Sequence, residues 1–162
     1  MRISARAEYG VRAMVQLARS YGSGPVPLSY VAERERISQD FLEQLMVTLR
    51  QKGLVRSVRG VHGGYLLAEP PDAVSVGDVM TAVDGPFIPM QCLDGAHDAT
   101  CTMGMALYDC STRDVWALLQ EKVMETLNGV TLADLCDAQA HPLRARSEVP
   151  VRRMDELPVA TV

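Results

Sequence analysis

The chain has 162 residues, about one domain's worth, of which 48% are hydrophobic and 22% charged, with a formal net charge of −4. This balance excludes wholesale disorder and collagen-like structure, and no apolar run approaches the ~20 residues of a membrane span. The mean charge conceals a polarity: residues 1–66 hold ten Arg and Lys against five Asp and Glu, whereas residues 67–162 hold six against fifteen. The N-terminus, Met1-Arg2-Ile3-Ser4-Ala5-Arg6, runs straight into an amphipathic pattern and lacks the apolar stretch and cleavage site of a signal peptide. A cytoplasmic protein is expected. In a reducing compartment its four cysteines point to metal binding, redox chemistry or simple burial rather than disulfides.

The first predicted helix runs from Ala5 to Tyr21, with Val11, Met14, Val15 and Ala18 as its apolar stripe. Gly22-Ser23-Gly24-Pro25 stops it. A short helix after Pro27 carries Leu28, Val31 and Ala32, and Ser38 is placed to cap a third, which carries Phe41, Leu42, Leu45, Met46 and Leu49. The period then changes: Leu54–Val58 and Gly64–Ala68 read as two strands joined by a glycine-rich turn containing Arg59. Ser75-Val76-Gly77-Asp78 has capping-box spacing and opens a fourth helix with Val76, Val79, Met80 and Val83, ended by Asp84-Gly85-Pro86. Residues 87–110 show no periodicity, and so long a loop is either functional or disordered. Ser111-Thr112-Arg113-Asp114 is read as a capping box for a long helix with Val115, Leu118, Leu119, Val123 and Leu127 at helical spacing, ended by Asn128-Gly129. Thr131-Leu132-Ala133-Asp134 opens a last short helix. The expected units are residues 1–84, a cysteine-containing loop over 85–110, the long helix and its short successor over 111–139, and a flexible tail over 140–162.

Three helices followed by a two-stranded hairpin form a winged-helix arrangement, mainly α with a small β wing. A helix fits the major groove of duplex DNA and presents side chains to base edges. Ser38, Gln39, Glu43 and Gln44 bring donors and acceptors to the start of the third helix. Arg59, among small residues that include Gly63 and Gly64, suits a narrow minor groove. Arg34, Arg36, Arg50, Lys52 and Arg56 are candidates for phosphate contacts. The plainer alternative is a protein-interaction module with its charges on solvated faces; the basic half favours DNA.

Met1-Arg2-Ile3-Ser4, Glu8-Tyr9-Gly10-Val11-Arg12-Ala13, Ser38-Gln39-Asp40-Phe41-Leu42-Glu43-Gln44-Leu45 and Leu49–Val55 resemble the corresponding stretches of the IscR/NsrR-type winged-helix transcription regulators. The wing, Val58–Ala68, is the most specific part, although Val61-His62 stands where that family usually has a proline and a glycine. Cys110-Ser111-Thr112-Arg113-Asp114-Val115-Trp116 resembles the start of the family's dimerisation helix. The resemblance spans roughly residues 1–137. It implies a homodimer joined by a long crossing helix, and binding to a palindromic double-stranded promoter site with Glu43, Gln44 and Arg59 at the DNA surface.

Cys92, Cys101 and Cys110 lie in one loop, with eight residues between successive members. Thiolates are soft ligands suited to iron–sulfur clusters, zinc and copper(I), and Cys110 sits at a helix N-terminus, which favours the ligating form. Three thiols are one short of a full ligand set. The resemblance implies that these three cysteines hold a 2Fe–2S or 4Fe–4S cluster, with a non-cysteine fourth ligand. In one branch that ligand is a first-helix carboxylate from the partner subunit, and the matching position here is Glu8; His97 is its rival. Glu8 also reads as the partner of Arg12 in an exposed helical ion pair. Cys136 is read as a small buried hydrophobe. Trp116 and Met14, Met46, Met80 and Met124 are read as core, and Tyr9 as a packing residue. The expected function is a dimeric regulator, a repressor, whose promoter binding is set by a cluster responding to iron, redox or nitric oxide status. The alternatives are a cluster-free regulator sensing thiol oxidation or a metabolite, a regulator with a structural zinc, and a cysteine-nucleophile enzyme. The last needs a base beside the thiol, and His62, His97 and His141 form no recognisable Cys/His motif.

Overall fold

The computed structural model describes residues 3–94 and 110–137. Six helices and one hairpin follow in the order α1 (Ala5–Arg19), α2 (Leu28–Glu35), α3 (Gln39–Gln51), β1 (Val55–Val58), β2 (Gly64–Leu67), α4 (Val76–Asp84), α5 (Arg113–Asn128) and α6 (Leu132–Cys136), with single 3-10 turns at Pro71–Ala73 and Gln91–Leu93. The Ser4 hydroxyl caps α1 by accepting from the Ala7 amide at 3.0 Å, which supplies one of the orphan N–H groups with a partner. The buried face of α1 is not centred on its large residues. Val11 and Val15 are half-buried, whereas Ala7, Gly10, Ala13 and Leu17 join Met14 and Ala18 in the interior. Small residues let α4 approach closely: a Cβ at Gly10 would already touch Val83 at 3.4 Å.

Helix α2 ends at Arg36, the one non-glycine among the described residues with a positive φ, at 56°. This left-handed residue turns the chain into α3. Ser38 caps α3, accepting from the Phe41 amide at 3.4 Å. Leu42, Leu45, Met46 and Leu49 are fully buried, so α3 commits one side to the core and leaves the other to solvent.

The strands pair antiparallel, Val55 with Leu67 through Val58 with Gly64. A detached bridge extends the ladder, because Val26 and Tyr65 exchange backbone hydrogen bonds, each at 2.9 Å. This fixes Gly64 as glycine: a Cβ there would lie 2.2 Å from the Val26 carbonyl oxygen.

Ser75 and Asp78 form the expected capping box of α4, and Thr131 and Asp134 form a second one at the start of α6. The two helix starts also pair, with the Val76 amide donating to the Val130 carbonyl at 2.8 Å and the Leu132 amide to the Val74 carbonyl at 2.9 Å. Leu132 is thereby buried in the same core as α1, α3 and α4.

The capping box expected at Ser111–Asp114 does not form. Thr112 stands at the N-cap of α5 in a helical conformation and makes no side-chain cap; its hydroxyl lies instead 3.5 Å from the Cys110 sulfur. The expectation that Trp116 and Met124 are core is also corrected. Helix α5 contains no buried residue, both of these are half-buried, and Val115 and Leu118 are exposed. Met14 and Met46 are fully buried and Met80 half-buried. The tail over 140–162, Cys101, His97 and His141 lie outside the described residues.

Candidate nucleic-acid interface and cysteine site

The solvent face of α3 carries Gln39, Asp40, Glu43, Gln44, Val47 and Arg50, all exposed. The Gln39 amide donates to the Glu43 carboxylate at 3.0 Å, one helical turn on, so the two side chains are held as a pair with free acceptor positions. Ser38 has its hydroxyl committed to the cap. Arg50 donates to the Ser57 hydroxyl at 3.4 Å, tying the far end of α3 to the first strand of the wing.

The wing tip is a tight turn in which the Gly63 amide donates to the Gly60 carbonyl at 2.9 Å. Arg59, Val61 and His62 are all exposed there, Val61 at 98%. Gly60 has φ 121°, which an L side chain rarely adopts. At Gly63 a Cβ would lie 2.4 Å from the Val58 carbonyl oxygen. Gly63 and Gly64 are thus fixed as glycines by the closure of the hairpin itself. Among the other basic residues, Arg34 and Lys52 are exposed, Arg36 is the left-handed residue between α2 and α3, and Arg56 donates to the Ala68 carbonyl at 3.1 Å.

Glu8 is 60% exposed and pairs with Arg12 at 3.5 Å, the helical ion pair that its spacing suggests. Arg12 continues to the end of α2, where it donates to the Glu35 carboxylate at 2.8 Å and to the Glu35 backbone carbonyl at 2.7 Å. The buried Gln16 donates to the same carboxylate. Sequence reasoning missed Glu35. The available signal was Arg12 and Gln16 at i, i+4 on α1, two long polar side chains bordering an apolar face and in need of an acceptor. Tyr9 packs edge-on against Phe41, ring centroids 5.6 Å apart, with the Arg12 guanidinium 5.7 Å from its ring centre.

Cys92 lies half-buried in the Gln91–Leu93 turn, and Cys110 half-buried immediately before α5. Gln120 of α5 donates to the Phe87 carbonyl at 2.8 Å, which binds the stem of the Cys92 segment to the helix that follows Cys110. Hydrogen bonds from the Thr112 side chain and backbone, aided by Arg113, draw the Cys110 thiol below its ordinary pKa. Cys136 behaves oppositely. It packs against the core, its sulfur is 3.8 Å from the Val15 carbonyl, and burial pushes its thiol up. Among the described residues no three His, Cys, Asp or Glu side chains form a metal-binding group, and Cys101 lies outside them. The two described loop sulfurs, Cys92 and Cys110, are soft donors of the type that iron–sulfur clusters, zinc and copper(I) take. No described helix is long and apolar enough to cross a membrane.

Residues 3–138 match the family model Rrf2, described as an iron-dependent transcriptional regulator. The helix-turn-helix-type transcriptional regulator IscR of Erwinia tasmaniensis is 42% identical over 139 residues, covering 86% of this chain and 81% of that protein. The helix-turn-helix-type transcriptional regulator CymR of Bacillus subtilis is 36% identical over 135 residues, covering 83% and 89%. The solved structure of B. subtilis CymR, described as its global cysteine regulator, superposes with a TM-score of 0.69 at 34% identity, covering 84% of this chain and 96% of that one. These relatives are regulators and not enzymes, which removes the cysteine-nucleophile reading. The hairpin-bearing helical fold and the family match over residues 3–138 together make the chain a transcription regulator belonging to the Rrf2 family.

Proposed function

We propose that this chain binds a palindromic duplex promoter site as a homodimer, a cytoplasmic repressor whose affinity is controlled by an iron–sulfur cluster. The observation that carries DNA binding is the exposed polar face of α3, fixed beside a wing that displays Arg59. Gln39, Glu43 and Gln44 offer donors and acceptors to base edges, with the Gln39–Glu43 bond holding the carboxylate in place. Ser38 presents a helix N-terminus to a phosphate. Arg50 and Arg59 supply positive charge, alongside Arg34, Arg36, Lys52 and Arg56. Gly63 and Gly64 would bring bare wing backbone to the DNA surface beside Arg59. Dimerisation is supported by α5, sixteen residues with no buried side chain in the single chain.

Cys92, Cys101 and Cys110 would hold a 2Fe–2S or 4Fe–4S cluster, with Glu8 of the partner subunit or His97 as the fourth ligand. When bound, such a cluster supplies a centre sensitive to iron supply, oxidants and nitric oxide. The chain's own contribution is positional. Cys110 stands two residues before the Thr112 N-cap of α5, and Gln120 of that helix holds the Phe87 carbonyl, five residues before Cys92, so a change at these two cysteines would be felt by α5. The CymR likeness keeps a cluster-free cysteine sensor as the competing outcome. Anaerobic purification separates them: the cluster reading expects a brown protein with visible absorption, iron and sulfide. Absorption should be lost after reconstitution in Cys92→Ala, Cys101→Ala and Cys110→Ala and kept in Cys136→Ala. A colourless wild type, or three loop variants that keep the chromophore, overturns the cluster assignment. Stoichiometric zinc in a colourless protein identifies a structural zinc instead.

A further inference from the structure

On the DNA-facing side of α3 one residue does not belong to the polar set. Asp40, Glu43, Gln44 and Val47 stand at i, i+3, i+4 and i+7, which places them along one stripe of the helix, and all four are exposed. Val47 is the apolar member, with 42% of its surface open to solvent. It lies one turn beyond Glu43, whose carboxylate is held by Gln39. Helix stability does not account for it. A β-branched residue at an exposed mid-helix position is a poorer helix former than Ala, Gln or Lys, and the neighbouring core positions Met46 and Leu49 already fill the interior. An isolated exposed valine is ordinary on a protein surface; this one shares its stripe with Glu43 and Gln44, which the proposed function sets against base edges.

The major groove displays one apolar group, the C5 methyl of thymine. We propose that Val47 is a specificity-determining residue that packs on a thymine methyl in each half-site, reading a T next to the base addressed by Glu43. Glu43, an acceptor, selects a cytosine amino group, and Val47 gains only where a methyl lies within reach. The inference rests on the DNA-binding reading above and names part of the sequence that reading leaves open.

The test first selects bound duplexes from a randomised pool with the full-length wild-type protein. Each enriched thymine is then replaced by deoxyuridine, which keeps every hydrogen-bonding group and removes only the methyl. Wild type should lose about fourfold in affinity per half-site at one such position, as expected for about one buried methyl-sized group. Val47→Ala should bind the T and U duplexes equally, while retaining its helical fold and its preference at the Glu43 position. Absence of any U-sensitive position in wild type, or U-sensitivity that persists in Val47→Ala, overturns the inference while leaving DNA binding intact. If no sequence is enriched at all, the DNA-binding reading fails, and this inference fails with it.

Discussion

Helices α3 and α5 are of similar length and both amphipathic, yet they finish their folding in different ways. The apolar side of α3 meets α1, α4 and the hairpin, and Leu42, Leu45, Met46 and Leu49 are fully buried in the single chain. The apolar positions of α5, from Val115 to Leu127, stay half-buried or exposed. An apolar stripe of this length left open to water is unfavourable, and the proposed homodimer would cover it with a second copy of α5. The difference teaches that α3 completes its packing within the core that α1, α4 and α6 share, whereas α5 buries no residue of its own.

The sharpest way to break this comparison is to charge α5. Leu119→Glu with Val123→Glu should give a folded monomer, or an aggregate, that no longer binds a two-half-site operator, since each half-site alone is too weakly held. Sedimentation showing an intact dimer would remove α5 from the interface. The next effect is in the other region. Leu45→Ala should destabilise the fold by about 2–5 kcal/mol at every protein concentration. Leu118→Ala should leave the fold in place and raise the dimer dissociation constant by about tenfold, from lost apolar burial. Chemical denaturation at two protein concentrations distinguishes these behaviours. At the wing, Arg59→Ala should weaken specific binding by about 1–3 kcal/mol and flatten the salt dependence of the affinity; unchanged promoter binding by the folded variant would place the wing away from the DNA. The smallest contrast concerns helix caps. Ser75→Ala removes a capping box and should cost about 0.5–2 kcal/mol, whereas Thr112→Ala, at an N-cap with no side-chain bond to the helix, should change thermal stability by less than about 0.5 kcal/mol.

The caps also mark how far the sequence could be read. Ser38, Ser75 and Thr131 were legible because a hydroxyl followed three residues later by a free amide, or by a carboxylate that can return the bond, is a local device that needs nothing distant. The Ser111–Asp114 pattern looks the same but does not form, because the helix starts one residue later, with Thr112 at the N-cap and its hydroxyl beside the Cys110 sulfur, a placement that spacing does not show. The interior of α1 was only half legible: bulky residues announce a stripe, but the buried face here is built on alanine and glycine so that α4 can come close. The Val26–Tyr65 and Ser75–Thr131 bridges join segments far apart in the chain and have no sequence signature. At the candidate site, the exposed polar residues of α3 are readable from the polar side of a clear amphipathic pattern. Glu35 was not, because its role depends on where the end of α2 meets α1. Trp116 and Met124 read as core because periodicity reports that a face is apolar without saying how deeply it is covered.

The measurement that bears most directly on the proposed function is the operator affinity of one preparation in two states, loaded with its cluster under anaerobic conditions and then stripped of it. Control by the cluster requires different affinities for the two states, and allosteric coupling of ordinary size predicts a ratio between about fivefold and 150-fold. Equal dissociation constants in a protein that is dimeric and brown when loaded would contradict the account.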